Sequence, residues 1–104
     1  MVARTKSVYE HLGFPDADEM LVKARLVFAI SEQIKRRRLV QTEAAALLGF
    51  SQPRLSNLLR GQFRGVSEKK LMNCLVKLGH DIEIVVRPAP RSRREGRISI
   101  ELAR

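Results

Sequence analysis

Apolar positions along the chain follow two rhythms, one helical and one alternating. Over residues 16–38, Met20, Leu21, Ala24, Val27, Phe28 and Ile34 recur at mostly three- and four-residue spacing. That is one face of an α-helix. Asp16, Asp18 and Glu19 stand at its start, where carboxylates suit the positive end of the helix dipole, and Lys35-Arg36-Arg37-Arg38 stand at its end, where cations do. The spacing predicts a helix from about Asp16 or Asp18 to Arg38. A second helical face, Leu71, Leu75 and Leu78 with Cys74 beside them, predicts a helix capped by Ser67 and ended by Gly79. Ser7 and Gly13 bracket a short helix over Val8–Leu12. The rhythm then changes. Ile82, Ile84 and Val86 alternate with Glu83, Val85 and Arg87, so residues 81–87 read as a β-strand ended by Pro88 and Pro90.

Between the two long helices lies Gln41-Thr-Glu-Ala-Ala-Ala-Leu-Leu-Gly-Phe-Ser-Gln-Pro-Arg-Leu-Ser-Asn-Leu-Leu-Arg-Gly61. It predicts two short helices and a tight turn. Gly49 can take the positive φ that often follows a helix end. Ser51 can cap the next helix, and Pro53 falls in its first turn, where a missing N–H does no harm. Leu48, Leu55, Leu58 and Leu59 can close a small core, with Ala45 small enough for a close helix crossing. Gln52, Arg54, Ser56 and Asn57 are the polar residues near the start of the second helix. A helix-turn-helix offers such side chains to the major groove of DNA.

Gln41, Ala45, Gly49, Ser51, Gln52, Leu55, Leu58 and Gly61 resemble the pattern of phage-repressor-like, Cro/C1-type (XRE) helix-turn-helix domains. The run from Ser51 to Gly61, continued through Leu71 and Leu78-Gly-His-Asp-Ile-Glu-Ile-Val-Val-Arg87, is similar to the HigA-type antitoxin branch. The likeness spans about residues 18–87. It implies a mostly α fold: a lambda-repressor-like helical DNA-binding domain of about five helices, with the C-terminal β-strand as an appendage serving dimerisation. It also implies that Gln52, Ser56 and Asn57 face bases and that Gln41 contacts phosphate. Pro53 stands where an amide side chain is often found, so one base contact of the family is in doubt.

A lone strand leaves its backbone groups unsatisfied. Its partner is either Ile98-Ser-Ile-Glu-Leu102 or the same strand of another chain, with Ile82, Ile84 and Val86 at the dimer interface. The chain thus divides into a tail and short helix (1–15), a helix-turn-helix domain (16–80) and a C-terminal strand with a basic tail (81–104). Residues 88–97 are linker-like and basic: either a solubilising segment or an arm along the DNA backbone.

Charge adds a partner. Twenty Lys and Arg against eleven Asp and Glu give a net charge of +9, which suits a polyanion. Lys35, Arg36, Arg37, Arg60 and Arg64 are the phosphate candidates, with Gln41 and Ser51 at the helix starts. Arg54 can fork onto guanine, and Gln52 and Asn57 can donate and accept together as adenine requires. Few aromatics, 5% of the chain, argue against an RNA reader that stacks bases.

Other chemistry finds little footing. His11 and His80 are far apart and lack partners for acid–base work. Cys74 is single, so no intramolecular disulfide or zinc spacing exists, and it reads as a small core residue. No cofactor or metal motif appears. No apolar run approaches the roughly 20 residues that span a bilayer, and a signal-peptide core is missing; a cytoplasmic protein is expected. The function expected is a non-enzymatic, sequence-specific DNA-binding repressor, dimeric on a palindromic operator. The alternative is an antitoxin that neutralises a ribonuclease toxin of the RelE/HigB sort and represses its own operon.

Overall fold

The computed structural model describes residues 16–103. Four helices follow one another: α1 (Ala17–Arg36), α2 (Gln41–Leu48), α3 (Gln52–Leu59) and α4 (Glu68–Lys77). Helix α1 packs mainly against α4, and α2 against α3, around one apolar centre. Ile30, Leu48, Leu55, Leu58, Leu71 and Cys74 are fully buried there. Each helix gives the centre one stripe and leaves its other side to water, as amphipathic helices do.

Local chemistry sets the helix ends. Ser51 Oγ accepts from the Arg54 amide at 3.3 Å, and Ser67 Oγ from the Lys70 amide at 3.1 Å. Each hydroxyl satisfies an N–H that the first helical turn leaves orphaned. Helix α2 starts differently: Glu43 accepts from the Val40 amide at 3.1 Å, the carboxylate half of a capping box. At the other end, Gly49 takes φ +77, and the Phe50 amide donates back to Ala45 at 2.9 Å. Helix α1 ends in the same way without glycine. Arg38 adopts φ +54, and the Leu39 amide donates to Ile34 at 3.1 Å, closing a Schellman turn. The helix therefore stops at Arg36, two residues before the predicted end.

The buried stripe of α1 is rotated from the predicted one. It comprises Ala17, Met20, Val22, Lys23, Leu26, Val27, Ile30 and Ile34, while Phe28 is 57% exposed. Lys23 disguised the register. It sits on the apolar face, 4% exposed, and its ammonium donates to the Arg64 carbonyl at 2.7 Å. Glu68 lies 3.8 Å from the same nitrogen. A buried charge is tolerable when hydrogen-bonded and paired in this way.

The C-terminal strand is not present. The sequence predicted about five helices and a strand; among the described residues there are four helices and no strand, an all-α fold. The short helix expected over Val8–Leu12 lies outside the described residues. Over residues 80–103 the chain runs without regular structure, and the Arg93 amide closes a turn onto the Pro90 carbonyl at 3.1 Å. Residues 98–102 do not form a ladder with 81–87. An isolated two-stranded hairpin is marginal in water. Ile84 is 79% and Val86 91% exposed, so alternation along 81–87 corresponds to no buried face within one chain.

Candidate nucleic-acid interface

Helices α2 and α3 pack against each other. Ala44 and Ala45 are buried on the inner side of α2. Gly49, Phe50 and Ser51 form the connection. Its left-handed residue is Gly49, where a side chain would be strained. Leu55 and Leu58 anchor α3 from within. The polar residues are then turned outward: Gln52 and Arg54 are exposed, Ser56 and Asn57 half-buried. The four side chains predicted to read bases thus sit on one short helix whose opposite side is locked in the core.

Two contacts orient members of this set. The Arg60 guanidinium donates to Asn57 Oδ1, one turn apart on the helix surface. This engages one lone pair of the amide oxygen. The Arg54 guanidinium lies over the Phe50 ring, 5.6 Å from its centroid. Lys70, from α4, places its ammonium 4.8 Å from the same centroid and donates to the Leu48 carbonyl at 3.3 Å. Cations are drawn to the negative face of an aromatic ring. Phe50, Arg54 and Lys70 also line an open cleft of about 350 Å³ between the turn and the start of α4, with Gly49, Gly65, Val66 and Ser67 as its remaining wall.

The predicted phosphate contacts are distributed around α3. Gln41 and Ser51 are exposed at the starts of α2 and α3, and Arg60 is exposed at the end of α3. Lys35, Arg36 and Arg37 are exposed at the end of α1, just before α2, with Lys35 Nζ 3.9 Å from Glu32. Arg64 is exposed but engaged: its guanidinium pairs with the Asp16 carboxylate. Ile82, Ile84 and Val86 lie on the extended segment after α4, all exposed.

Three residues escaped the sequence reading. Lys23 was hidden by its charge on an apolar stripe, although its three- and four-residue spacing from Met20 and Val27 was visible. Phe50 was given no role, although an aromatic directly after a helix-stop glycine has few ways to be wholly buried. Lys70 carried no local signal, because its partners are 20 and 22 residues upstream.

Burial pushes the Cys74 thiol up from its ordinary 9.0, opposed in lesser part by the charges of Lys70 and Lys77. Among the described residues, no cluster of His, Cys, Asp and Glu is placed to hold a metal ion, and no helix is long and apolar enough to cross a membrane.

The geometry agrees with comparisons to known proteins. A model of the helix-turn-helix domain matches residues 8–87. Two solved chains match. One of them, named as an XRE family transcriptional regulator, is 46% identical with a TM-score of 0.77, and the match covers 86% of this chain and 100% of that one. The chain belongs to the XRE helix-turn-helix family. No curated protein matches it. In XRE terms, α2 and α3 are the helix-turn-helix, and α1 and α4 are the frame that holds it.

Proposed function

We propose that this XRE protein is a sequence-specific DNA-binding repressor that acts as a homodimer on a palindromic operator. The observation that carries the reading is α3: Leu55 and Leu58 are buried on one side, and Gln52, Arg54, Ser56 and Asn57 are accessible on the other. A helix held so can enter the major groove start-first. Gln52, Ser56 and Asn57 meet base edges, while Arg54, held beside Phe50, flanks the groove. Gln41, Ser51, Lys35, Arg36, Arg37, Arg60 and Arg64 follow the phosphates. The net charge of +9 favours the encounter with a polyanion. In this reading residues 16–80 are the DNA-binding unit, and Ile82, Ile84 and Val86 in residues 81–104 serve the dimer contact. Exposed aliphatic side chains in sequence are a feature that a partner surface would cover.

The test is a binding assay against the region upstream of the protein's own gene, run at two salt concentrations beside scrambled DNA. A preference that survives the higher salt supports recognition. Equal affinity for both DNAs at both salts overturns it, since charge alone would then account for binding.

The likeness of Ser51–Gly61 and Leu78–Arg87 to the HigA branch favours a second reading, an antitoxin with a RelE/HigB-type ribonuclease partner. The same aliphatic run would then meet the toxin. A stable complex on co-expression with the product of an adjoining gene supports it; two proteins that elute apart oppose it.

A further inference from the structure

We propose that the cleft between the Gly49-Phe50 turn and residues 65–70 holds one phosphate group of the DNA backbone, through the Arg54 guanidinium and the Lys70 ammonium. The inference rests on the DNA-binding reading and narrows it.

Two positive charges from different helices are brought to one ring, Arg54 at 5.6 Å and Lys70 at 4.8 Å. Among the described residues the ion pairs belong to Lys23, Lys35 and Arg64; neither Arg54 nor Lys70 has a carboxylate within 4 Å. Glu68, the acidic residue nearest in sequence, is turned to Lys23. Both side chains line the same cleft, so an anion there would meet two positive charges. Phe50 supplies the means of holding them. It restrains two long side chains that would otherwise range through solvent, so less freedom remains to be lost when a ligand arrives.

The chemistry selects phosphate. A guanidinium offers a planar fork that matches two phosphate oxygens, and an ammonium adds a compact point charge. The cleft, about 350 Å³ and open to solvent, is at the small end of ligand sites. Gly49 and Gly65 bring no side chain to its wall. It also adjoins the start of α3, which carries the proposed base readers, so a backbone lying beside a groove-bound α3 would pass over it. Arg54 then reads backbone and not guanine, and Lys70 becomes a DNA contact that sequence did not mark.

The experiment uses operator duplexes in which single phosphates are replaced by neutral methylphosphonate, with affinity read by fluorescence anisotropy across a salt series. In the unaltered protein, one position per half-site is expected to weaken binding and make the log–log salt slope shallower by about 0.9. In Arg54→Gln and Lys70→Gln that position is expected to cost nothing further, with the order of preferred sequences unchanged, and Lys70→Arg is expected to restore it. If both Gln variants keep the original slope and the original map, the cleft is no phosphate site. If Arg54→Gln alters the order of preferred sequences, Arg54 reads a base and the proposal is overturned. Lys70→Gln also loses a bond to Leu48; should it fail to fold, Arg54→Gln decides alone. Inorganic phosphate and pyrophosphate are titrated without DNA to separate the two sources of the group. Millimolar displacement of DNA that Lys70→Gln abolishes would assign the cleft to a free phosphorylated compound and overturn the backbone assignment. If the unaltered protein shows no sequence preference, the function proposed above falls; preference with an unchanged phosphate map sinks only the cleft.

Discussion

Lys23 on α1 donates to the main-chain carbonyl of Arg64, 41 positions later, across 2.7 Å. Through this bond the long helix fixes the loop that follows α3. Arg64 adds a second tie of its own, its side chain reaching Asp16 at the start of α1. The segment that must follow α3 is thereby fastened at both its backbone and its tip.

Replacing Lys23 with Met keeps the length of the side chain and removes the charge. The carbonyl of Arg64 loses its donor, while Glu68 is exposed enough to regain water. Hydrogen bonds to charged groups are worth about 1.5–3 kcal/mol, and the unfolding free energy of Lys23→Met is expected to fall by an amount in that range. Urea denaturation with an unchanged m-value checks it. A rise in stability would mean that desolvating the ammonium costs more than its bonds return.

Gly49→Ala tests the turn between α2 and α3. A Cβ there would meet only Lys70 Nζ at 3.6 Å and Lys77 Nζ at 3.8 Å, both ordinary contacts. The penalty comes from φ +77, which costs a side-chain-bearing residue about 1–2 kcal/mol. Thermal melting should move down by roughly 4–8 °C per kcal/mol for a chain this short. A melting point equal to the parent's would show that the turn relaxes to another conformation.

Cys74 predicts a pH dependence. Its thiol is buried and its ionisation is held above 9.0 in the folded chain. The folded state then keeps the proton that the unfolded state releases. The contribution to stability is fully present below pH 9 and declines as pH rises past it. The informative quantity is the difference from Cys74→Ala. The gap between the parent and Cys74→Ala is expected to be constant from pH 6 to 8 and to shrink in the parent's disfavour by pH 10. Equilibrium unfolding at both ends of that span reads it.

Asn57 and Arg60 form a pair whose roles separate by mutation. Asn57→Ala should lose about 1–3 kcal/mol of discrimination at one base pair per half-site. Arg60→Ala leaves the amide in place but frees its orientation, so a smaller loss at that same base pair is expected, together with a shallower salt response. A binding-site selection on each variant distinguishes them. Losses at different base pairs would show that the two side chains do not act together.

Much of this was legible because local chemistry leaves local marks. Gly49, Ser51, Pro53, Gly61, Ser67 and Gly79 are each tied to a backbone requirement within a turn of the helix. The cores of α2, α3 and α4 followed. Two things were not legible. Arg38 performs a glycine's task, so the end of α1 carried no mark. Lys23 is satisfied by a carbonyl 41 residues away, and no pattern within α1 announces such a partner. The expected strand failed for a related reason. Alternation describes which side chains share a face, but it does not supply the second backbone that a face requires. That Gln52, Arg54, Ser56 and Asn57 lie on the outer side of α3 followed from their positions beside Leu55 and Leu58, whereas the gathering of Arg54 and Lys70 on Phe50 depends on how α4 approaches the turn.

The connector between α2 and α3 is three residues, Gly49 to Ser51, and each of the three is engaged. Phe50's amide is spent on Ala45, Ser51's hydroxyl on Arg54, and Gly49's torsion on the change of direction. A chain so taut has no slack to absorb an added or missing residue. Side chains on α3 can be exchanged to suit another sequence of bases, but the spacing that aims them behaves as a fixed gauge.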